Sequence, residues 1–300
     1  MTLKRAIIDF RFIKDLGFII IFTLVMSRQS LGNIHYNDEG RDWTGICSTG
    51  KSQSPIDIPI KWATESDNLL FLKTSSTLDV MVSQKQMSNL TLKDNIYTYY
   101  YAFTGGYLAF WDESNNLDTY QLLQFHVHAP SEHTFNGKHY DVEIHFVHQN
   151  TNNNKLVAFG LFFDSRTGGD KENEFITALG VGKSNNTALS EIPALNLLKN
   201  LNFKEIFHYE GSLTTPPCSE VVSWILIHDV QPISSAQVKD FNNKWMNNKT
   251  FAGGKGNNRE VQQLNQRFIY KKDTASMQDQ AIIIDGVCFI MLLLFAIYLS

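Results

Sequence analysis

The chain has 300 residues, of which 43% are hydrophobic and 19% are charged, and this composition is typical of a globular protein rather than a disordered one. Its formal net charge is −4, and because residues 1–32 are net positive, the rest of the chain is more acidic than that figure. An acidic body argues against nucleic acid as a partner.

Residues 1–32 have the layout of a secretory signal peptide. Basic residues lie between Lys4 and Lys14, an apolar run follows from Leu16 to Met26, and a polar stretch begins at Ser27. We predict that this segment is a signal peptide, with an uncleaved signal anchor as the alternative because the basic region is long.

Residues 67–123 alternate strand-like runs with turns. The runs span residues 78–82, 89–92, 97–103 and 107–111. Short strands at such close spacing are typical of a large, mostly antiparallel sheet. The tyrosines at positions 97 and 99–101 could form an aromatic binding face, but such a cluster is more often the packed side of a strand.

The stretch from Gln124 to His148 is predicted to be a β-hairpin. Its middle contains Asn136-Gly137, a strong signal for a tight turn. Residues 125–128 before the turn and residues 140–147 after it are rich in β-branched and aromatic side chains, which favours strands. Six of the chain's nine histidines lie in this stretch, which makes it a candidate metal site.

Three of these histidines are predicted to converge on one point. His126 and His128 are two residues apart, so they share one face of their strand. Folding the chain at the turn brings position 128 opposite His145 on the returning strand. Three neutral nitrogen ligands with an open fourth position are typical of a catalytic zinc site rather than a structural one. A single histidine is more often a core or surface residue, so the prediction depends on all three.

Two polar residues are placed to orient these histidines. Gln124 lies two residues before His126, and Glu143 lies two residues before His145, so each shares a strand face with the ligand that it could hold. Histidines bound to a metal usually donate their second N–H to a carboxylate, amide or carbonyl oxygen. We therefore expect hydrogen bonds from His126 to Gln124 and from His145 to Glu143.

Beyond the hairpin, the sequence predicts one buried strand and two helical segments. Residues 155–163 are almost all apolar, which favours a central strand. Residues 171–179 and residues 190–198 are predicted to be helical, the second stretch interrupted at Pro193.

An irregular loop is predicted at residues 209–220. Pro216 and Pro217 cannot donate backbone hydrogen bonds, so this stretch does not fit a sheet ladder. Such loops often carry function. A further strand is predicted at residues 221–227, which contain Trp224.

The C-terminal residues 273–300 form a second targeting signal. An apolar run from Gly286 to Leu299 follows small residues at positions 273–276 and a polar spacer. This pattern fits the signal for a GPI anchor, and the run is shorter than the roughly 20 apolar residues of a membrane span. A short membrane span that extends back to Ala281 is the alternative.

Four separate motifs resemble those of the α-class carbonic anhydrases. They span residues 53–58 (Gln-Ser-Pro-Ile-Asp-Ile), 124–147, 209–220 and 257–267. The resemblance covers about residues 34–272, and the short link Ala129-Pro130 is similar to the plant and bacterial branch of the family. The fourth motif departs from the family, which usually has proline at positions 260 and 263.

The resemblance implies a fold and a reaction. The fold would be mainly β (α+β), a single domain at residues 33–272 with a large twisted, mostly antiparallel central sheet and short peripheral helices. The reaction would be the reversible hydration of carbon dioxide to bicarbonate and a proton, by attack of zinc-bound hydroxide. A catalytically silent cell-surface binding protein of the same family is the alternative. A zinc peptidase would need His-Glu-x-x-His, which the chain lacks.

The resemblance also assigns roles to individual residues. Zinc (Zn2+) is bound by His126, His128 and His145. A backbone carbonyl near Asn257 orients His128. Thr214 accepts a hydrogen bond from the zinc-bound hydroxide and passes its own proton toward Glu132. The substrate pocket is formed by Thr215 at the mouth and by an apolar wall of Val147, Leu213, Trp224 and Ala158.

The resemblance and the targeting signals together imply a protein on the extracellular face of a membrane. In secreted and cell-surface members of the family, cysteines at the positions of Cys47 and Cys218 form a disulfide, whereas Cys288 lies in the tail that anchor attachment removes. Candidate N-glycosylation sites are Asn89, Asn185 and Asn248. The implied partners are the small-molecule substrate, carbon dioxide or bicarbonate, and the membrane.

One part of the family's machinery is missing from the sequence. Fast members relay the proton to buffer through a histidine on a strand before the first zinc ligand, but here no histidine lies between His35 and His126. The matching segment is residues 93–97 (Lys-Asp-Asn-Ile-Tyr). We therefore expect an active but slower enzyme that small imidazole buffers accelerate, with His35 and His139 as candidate substitutes.

Overall fold

The computed structural model describes most of residues 35–272. The described segments are residues 35–60, 72–75, 79–83, 87–94, 97–102, 106–111, 117–150, 152–153, 155–181, 188–192, 197 and 201–272. The predicted signal peptide (1–32) and anchor signal (273–300) lie outside the described residues, as does Asn185. All described residues belong to one unit that begins at His35.

The described part of the chain is built mainly from β-strands. In chain order these are β1 (Asp57–Ile58), β2 (Leu72–Ser75), β3 (Asp79–Ser83), β4 (Met87–Asp94), β5 (Tyr99–Ala102), β6 (Tyr107–Trp111), β7 (Leu117–His128), β8 (Thr134–Phe135), β9 (Val142–Asn150), β10 (Leu156–Asp164), β11 (Ala188–Ile192), β12 (Ile206–Gly211), β13 (Val222–Pro232) and β14 (Ile269–Lys272). The helices are short: α1 (Ile46–Thr49), α2 (Glu174–Ala178) and α3 (Ser235–Lys244), with a 3₁₀ turn at Ala252–Gly254. The predicted mainly β, single-domain fold is confirmed.

Twelve of these strands form one large sheet. Its main path runs β11-β4-β5-β7-β9-β10-β13-β12-β14-β2, and β6 joins it by pairing with β7 on one side and β3 on the other. Among the described residues, the pairings in this sheet are antiparallel except for β10 with β13 and β14 with β2. The predicted large and mostly antiparallel sheet is therefore confirmed.

Strand β10 lies in the middle of this sheet, as its apolar sequence predicts. All nine of its residues are buried, and β9 and β13 flank it on either side. Phe159 and Phe163 belong to the hydrophobic core, to which α3 contributes Phe241. Since side chains alternate along a strand, residues 158 and 160 point to the opposite face. That opposite face carries the histidines, because position 160 pairs with His145.

The register of the predicted hairpin differs from the expectation by two residues. His145 lies opposite His126, not opposite His128. Side chains along a strand alternate with a period of two, so a shift of two residues leaves the same side chains on the same face. The predicted cross-strand partner was wrong, but the three histidines still share one face.

The shift arises because Asn136-Gly137 does not close the long hairpin. These two residues do form a turn, with φ values of 50° and 72°, as this dipeptide favours. The turn closes only an isolated bridge between Phe135 and Lys138. Strand β8 pairs in parallel with β1 instead of continuing β7. Residues 129–141 thus leave the ladder between β7 and β9, and the turn no longer sets its register.

One segment predicted to be helical is partly a strand, and one helix was not predicted. Residues 188–192 form β11 and pair with β4, because the sheet edge offers this backbone hydrogen-bond partners. Helix α2 lies inside the predicted stretch 171–179. Helix α3 begins at a capping box in which Ser234 and Gln237 exchange hydrogen bonds. The Ser-x-x-Gln spacing is the signal that would have found it.

Cys47 and Cys218 form a disulfide, as the resemblance implied. It joins α1 to the loop at residues 212–221, across a sequence separation of 171 residues. The side chain of Gln53 reinforces the junction by donating a hydrogen bond to the carbonyl of Cys218 at 3.1 Å. The loop that contains Thr214 is therefore fastened to the N-terminal part of the domain.

Two of the candidate glycosylation sites lie in described segments. The backbone of Asn89 belongs to β4. Asn248 follows α3 and is partly exposed, and its Oδ1 accepts hydrogen bonds from the backbone and hydroxyl of Thr250 at 3.1 and 2.6 Å. Within the described segments, none of the helices has the length and apolar character that crossing a membrane requires.

Candidate metal centre

Strands β7 and β9 bring three histidines together on one face of the sheet. His126 and His128 lie at the end of β7, and His145 lies within β9. One nitrogen of each ring lies within 4.8 Å of the chosen nitrogens of the other two. His128 and His145 are buried, and His126 is partly exposed. The structure thus brings together the three imidazoles that the sequence singled out.

Each of these rings is held by an oxygen at its other nitrogen. The three contacts are Gln124 Oε1 at 2.9 Å from His126 Nδ1, the carbonyl of Asn257 at 2.9 Å from His128 Nδ1, and Glu143 Oε1 at 2.7 Å from His145 Nε2. These oxygens can only accept, so the imidazole N–H groups donate to them. In the neutral rings the lone pairs then lie on Nε2 of His126, Nε2 of His128 and Nδ1 of His145.

Two of the nitrogens that carry these lone pairs have no hydrogen-bond partner. His128 Nε2 and His145 Nδ1 are buried and unpaired among the described residues. Leaving a buried polar atom unsatisfied costs about 1–3 kcal/mol, and a metal ion shared by the three rings would satisfy both. Three imidazoles without a thiolate form a donor set that suits zinc. The residues present therefore fit a zinc ion.

Glu143 is the buried carboxylate that organises this centre. Its Oε2 accepts the backbone N–H groups of Glu132 and His133, both at 2.8 Å. Its Oε1 lies 2.7 Å from a ring nitrogen of His133 and 2.7 Å from His145 Nε2. Gly160 on β10 leaves room for this carboxylate, because a Cβ there would lie 3.2 Å from Oε1. The four contacts fix both the carboxylate and the ring of His145.

Burial and neighbouring charges set the pKa values in this cluster. Burial holds the pKa of His126 well below its usual value and also lowers the pKa of His128. Burial would raise the pKa of Glu143, but His133 and His145 outweigh it and hold the pKa well below its usual value. Burial would likewise lower the pKa of His145, but Glu143 outweighs it and raises the pKa. A carboxylate that makes an imidazole more basic also makes it a better metal ligand.

A second group of ligand-type side chains, His133, Glu143 and His145, lies beside the first. Its members already bind one another through Glu143. The other ring nitrogen of His133 lies 2.7 Å from the hydroxyl of Tyr209, which lies 2.8 Å from Ser54 Oγ. Both nitrogens of His133 are thus occupied, so this group supports His145 and is not a second metal site. Sequence reasoning gave His133 and Tyr209 no role, although both lie in the quoted motifs.

Glu132 borders the space between the histidines. Its Oε2 lies 3.4 Å from His128 Nε2 and 3.9 Å from His145 Nδ1. Its Oε1 accepts a hydrogen bond from the backbone N–H of Arg259 at 2.9 Å. Oε2 has no hydrogen-bond partner in the described part of the chain. This oxygen is therefore free to accept a further hydrogen bond.

The loop at residues 212–221 carries the remaining candidate catalytic residue. Thr214 is buried, and its neighbours Leu213 and Thr215 are half-buried. The loop is braced by a hydrogen bond from the N–H of Cys218 to the carbonyl of Thr215 at 2.9 Å. The structure does not form the hydrogen bond from Thr214 to Oε2 of Glu132 that the resemblance implies.

Three of the residues assigned to the apolar wall form a row across neighbouring strands. Val147 on β9 lies opposite Ala158 on β10, and Ala158 lies beside Trp224 on β13. His145 and Val147 are two residues apart, so the row lies on the histidine face. The rings of Trp224 and His145 lie 4.7 Å apart, centroid to centroid. All three wall residues are buried, so they border the cluster with apolar surface.

Asn257 makes side-chain hydrogen bonds in addition to the contact between its carbonyl and His128 that the resemblance implied. Its side-chain Oδ1 accepts the backbone N–H of Ala129 at 2.7 Å. Its Nδ2 donates to the carbonyls of Val127 at 2.9 Å and of Tyr97 at 2.8 Å. One residue therefore fixes the ring of His128 and the backbone on either side of it. Sequence reasoning missed these side-chain bonds because they join segments far apart in the chain.

Comparison with known proteins agrees with this geometry. A family model for eukaryotic-type carbonic anhydrases matches residues 38–273. A carbonic anhydrase of Neisseria gonorrhoeae is 32% identical over 244 residues, which cover 81% of this chain and 84% of that protein.

The fold is similar to those of solved carbonic anhydrase structures. An α-carbonic anhydrase of Thermovibrio ammonificans, in complex with the inhibitor sulfanilamide, has a TM-score of 0.62 at 31% identity and covers 80% of this chain and 99% of its own. A carbonic anhydrase of Chlamydomonas reinhardtii, in complex with acetazolamide, has a TM-score of 0.62 at 28% identity, covering 81% and 98%. Because the family model spans well over half of the chain and the relatives match along most of their length, the chain belongs to the eukaryotic-type, or α-class, carbonic anhydrases, a family of enzymes that hydrate carbon dioxide.

Proposed function

We propose that this chain catalyses the reversible hydration of carbon dioxide with zinc held by His126, His128 and His145. The observation that carries the proposal is the pair of buried, unpaired nitrogens on His128 and His145, whose other ring nitrogens are fixed by oxygens. Zinc bound there would supply the Lewis acidity that makes water a nucleophile at neutral pH, an effect for which carbonic anhydrase is itself the reference case.

The oxygens that accept from the three ligands fix the orientation of the imidazole rings. Gln124, Glu143 and the carbonyl of Asn257 each take one N–H, so the remaining nitrogen of each ring is the one offered to the metal. Because the ligands are neutral, the site retains the full positive charge of a divalent ion. That charge would favour deprotonation of a bound water molecule.

Thr214 and Glu132 orient the nucleophile in this proposal. In the reacting enzyme the hydroxyl of Thr214 would donate a hydrogen bond to Oε2 of Glu132, the buried oxygen that has no partner among the described residues. The oxygen of Thr214 can then only accept, so it takes a hydrogen bond from the nucleophile and directs a lone pair toward the substrate carbon. The backbone N–H of Thr214 steadies the product oxygen.

The apolar row receives carbon dioxide, which has no net dipole and gains little from polar partners. Val147, Ala158 and Trp224 are buried beside His145 and exclude water from that side. Leu213 completes the wall, and Thr215 lies at the mouth. The wall thus holds the substrate carbon near the nucleophile without binding the charged product tightly.

We further propose that the enzyme is secreted and held on the outer face of a membrane by a GPI anchor. The disulfide between Cys47 and Cys218 supports this route, because such bonds persist in oxidising compartments. The sequence patterns of residues 1–32 and 273–300 supply the targeting signals.

The function is tested by comparing His145→Ala with His148→Ala in the full chain. His148 is buried on the same strand, three residues on and therefore on the opposite face, where its Nδ1 lies 3.0 Å from the carbonyl of Phe146. We expect His145→Ala to lose zinc and hydration activity, and His148→Ala to keep both. Stopped-flow hydration with and without a chelator, together with zinc content, provides the measurement. Folded, zinc-loaded wild-type protein without hydration activity would favour the silent binding protein.

Replacing Glu143 with glutamine should weaken zinc binding. A glutamine amide has one oxygen that accepts and one NH2 group that donates, so the four contacts that fix His145 cannot all form. Outer contacts of this kind usually change metal affinity by about 10- to 100-fold, and we expect a rise of that size in the zinc dissociation constant. Asp141→Asn is the matched control, because Asp141 binds Ser165 instead. An unchanged affinity in Glu143→Gln would contradict the assignment.

Proton transfer should limit turnover, because no histidine lies between His35 and His126. We expect kcat for hydration to rise with imidazole concentration at fixed pH and then to saturate. His35, which lies 3.4 Å from Asp42, and His139 are the candidate substitutes, and their alanine variants show whether either carries the remaining flux. A kcat that does not change with imidazole concentration would contradict the expectation.

The anchor is tested on intact cells that express the full chain. We expect hydration activity on the cell surface that a phosphatidylinositol-specific phospholipase C releases into the medium. If Asn248 carries a glycan, Asn248→Gln has a smaller apparent mass than the wild type. Activity that stays on the cells after this treatment would favour a membrane-spanning tail instead.

A further inference from the structure

Arg259 is a buried cation that the proposed reaction does not use. It is 1% exposed, its guanidinium donates to no carboxylate among the described residues, and its Nε has no hydrogen-bond partner there. Burial lowers the pKa of Arg259, and the charge of Glu132 is the main influence against this. A buried charge without a close partner usually destabilises a fold. The hydrogen bonds that the guanidinium makes explain why a charge is buried here.

The guanidinium joins three acceptors of one N-terminal segment. Nη1 donates to Gln53 Oε1 at 2.9 Å and to the carbonyl of Ser54 at 2.7 Å. Nη2 donates to the carbonyl of Cys47 at 2.7 Å. The ring of Trp43 lies 5.6 Å from the guanidinium carbon. A planar fork can reach several acceptors at once, which the single ammonium of lysine cannot do in the same geometry.

The backbone of the same residue holds Glu132. The N–H of Arg259 donates to Oε1 of Glu132 at 2.9 Å, which leaves Oε2 as the oxygen that faces the histidines. Two residues earlier, the carbonyl of Asn257 accepts from His128. The stretch 257–259 therefore contacts both a metal ligand and the carboxylate beside it.

We propose that Arg259 is a positioning residue, whose guanidinium anchors the stretch 257–259 to the segment 47–54 so that its backbone N–H aims Glu132 at the reacting centre. The inference rests on the proposed function. Arg259 acts through geometry alone, and no proton passes through it. Misplacing a catalytic group by about 1 Å can reduce a rate by about 100-fold, so a modest movement of this loop is enough to matter.

The first test compares Arg259→Met with Arg267→Met in the zinc-loaded full chain, at saturating imidazole so that proton transfer to buffer does not limit kcat. Arg267 is a matched control, because its guanidinium also binds the backbone of Gln53, at 2.8 Å, and that of Glu210, at 2.9 Å, but its N–H does not contact Glu132. We expect Arg259→Met to lower kcat by about 10- to 100-fold, with KM and zinc content changed by no more than about twofold. A loss in kcat without a change in KM reports an interaction made in the transition state. We expect Arg267→Met to keep the wild-type kcat.

The second test does not depend on catalysis. In zinc-free protein, hydrogen exchange of the residue-259 amide, followed by NMR, reports its bond to Glu132 directly. We expect slow exchange in the wild type and in Arg267→Met, and faster exchange in Arg259→Met. Should Arg259→Met fail to fold, Gln53→Leu removes one of the three acceptors and is expected to lower kcat in the same direction by a smaller factor.

The possible results distinguish a failure of this inference from a failure of the proposed function. An active wild type whose Arg259→Met variant keeps its kcat, or loses activity only in proportion to lost zinc, overturns the inference and leaves the function standing. The same holds for Gln53→Leu with unchanged kcat when Arg259→Met does not fold. A zinc-loaded wild type without hydration activity overturns the function, and the inference with it.

Discussion

The carboxylate of Glu143 is the contact on which the metal centre depends. It accepts two backbone N–H groups from the turn after β7 and lies against the rings of His133 and His145. A buried carboxylate is tolerated only when its acceptor positions are filled, so the turn, the ring of His145 and strand β9 must keep their relative positions together. Glu132 lies in that turn, and its place beside the histidines follows from the same contact.

A second anchor fixes the other half of the centre. Asn257 holds His128 and the backbone around it, while Arg259 holds Glu132 and is itself bound to segment 47–54. The disulfide joins that segment to the loop of Thr214. Four segments distant in sequence thus meet at one site, which explains why the sequence signature is divided into four motifs. Changing any one segment disturbs contacts made by the others.

Local patterns predicted the parts of the site that depend on one strand. The spacings of His126 with His128, of Gln124 with His126 and of Glu143 with His145 follow from alternation along a strand. The register between β7 and β9 did not follow, because it depends on whether β8 pairs with β1. Likewise residues 190–192 of β11 were predicted to be helical, because their partner strand β4 lies far away in the chain. The side-chain contacts of Arg259 were missed for the same reason.

The most direct test of this account is anomalous diffraction at the zinc edge from crystals of the zinc-loaded protein. We predict one zinc ion bound by Nε2 of His126, Nε2 of His128 and Nδ1 of His145. These are the ring nitrogens that do not donate to the oxygens of Gln124, Asn257 and Glu143. Zinc bound instead by His133, Glu143 and His145, or a protein that takes up no zinc at these histidines, would contradict the account.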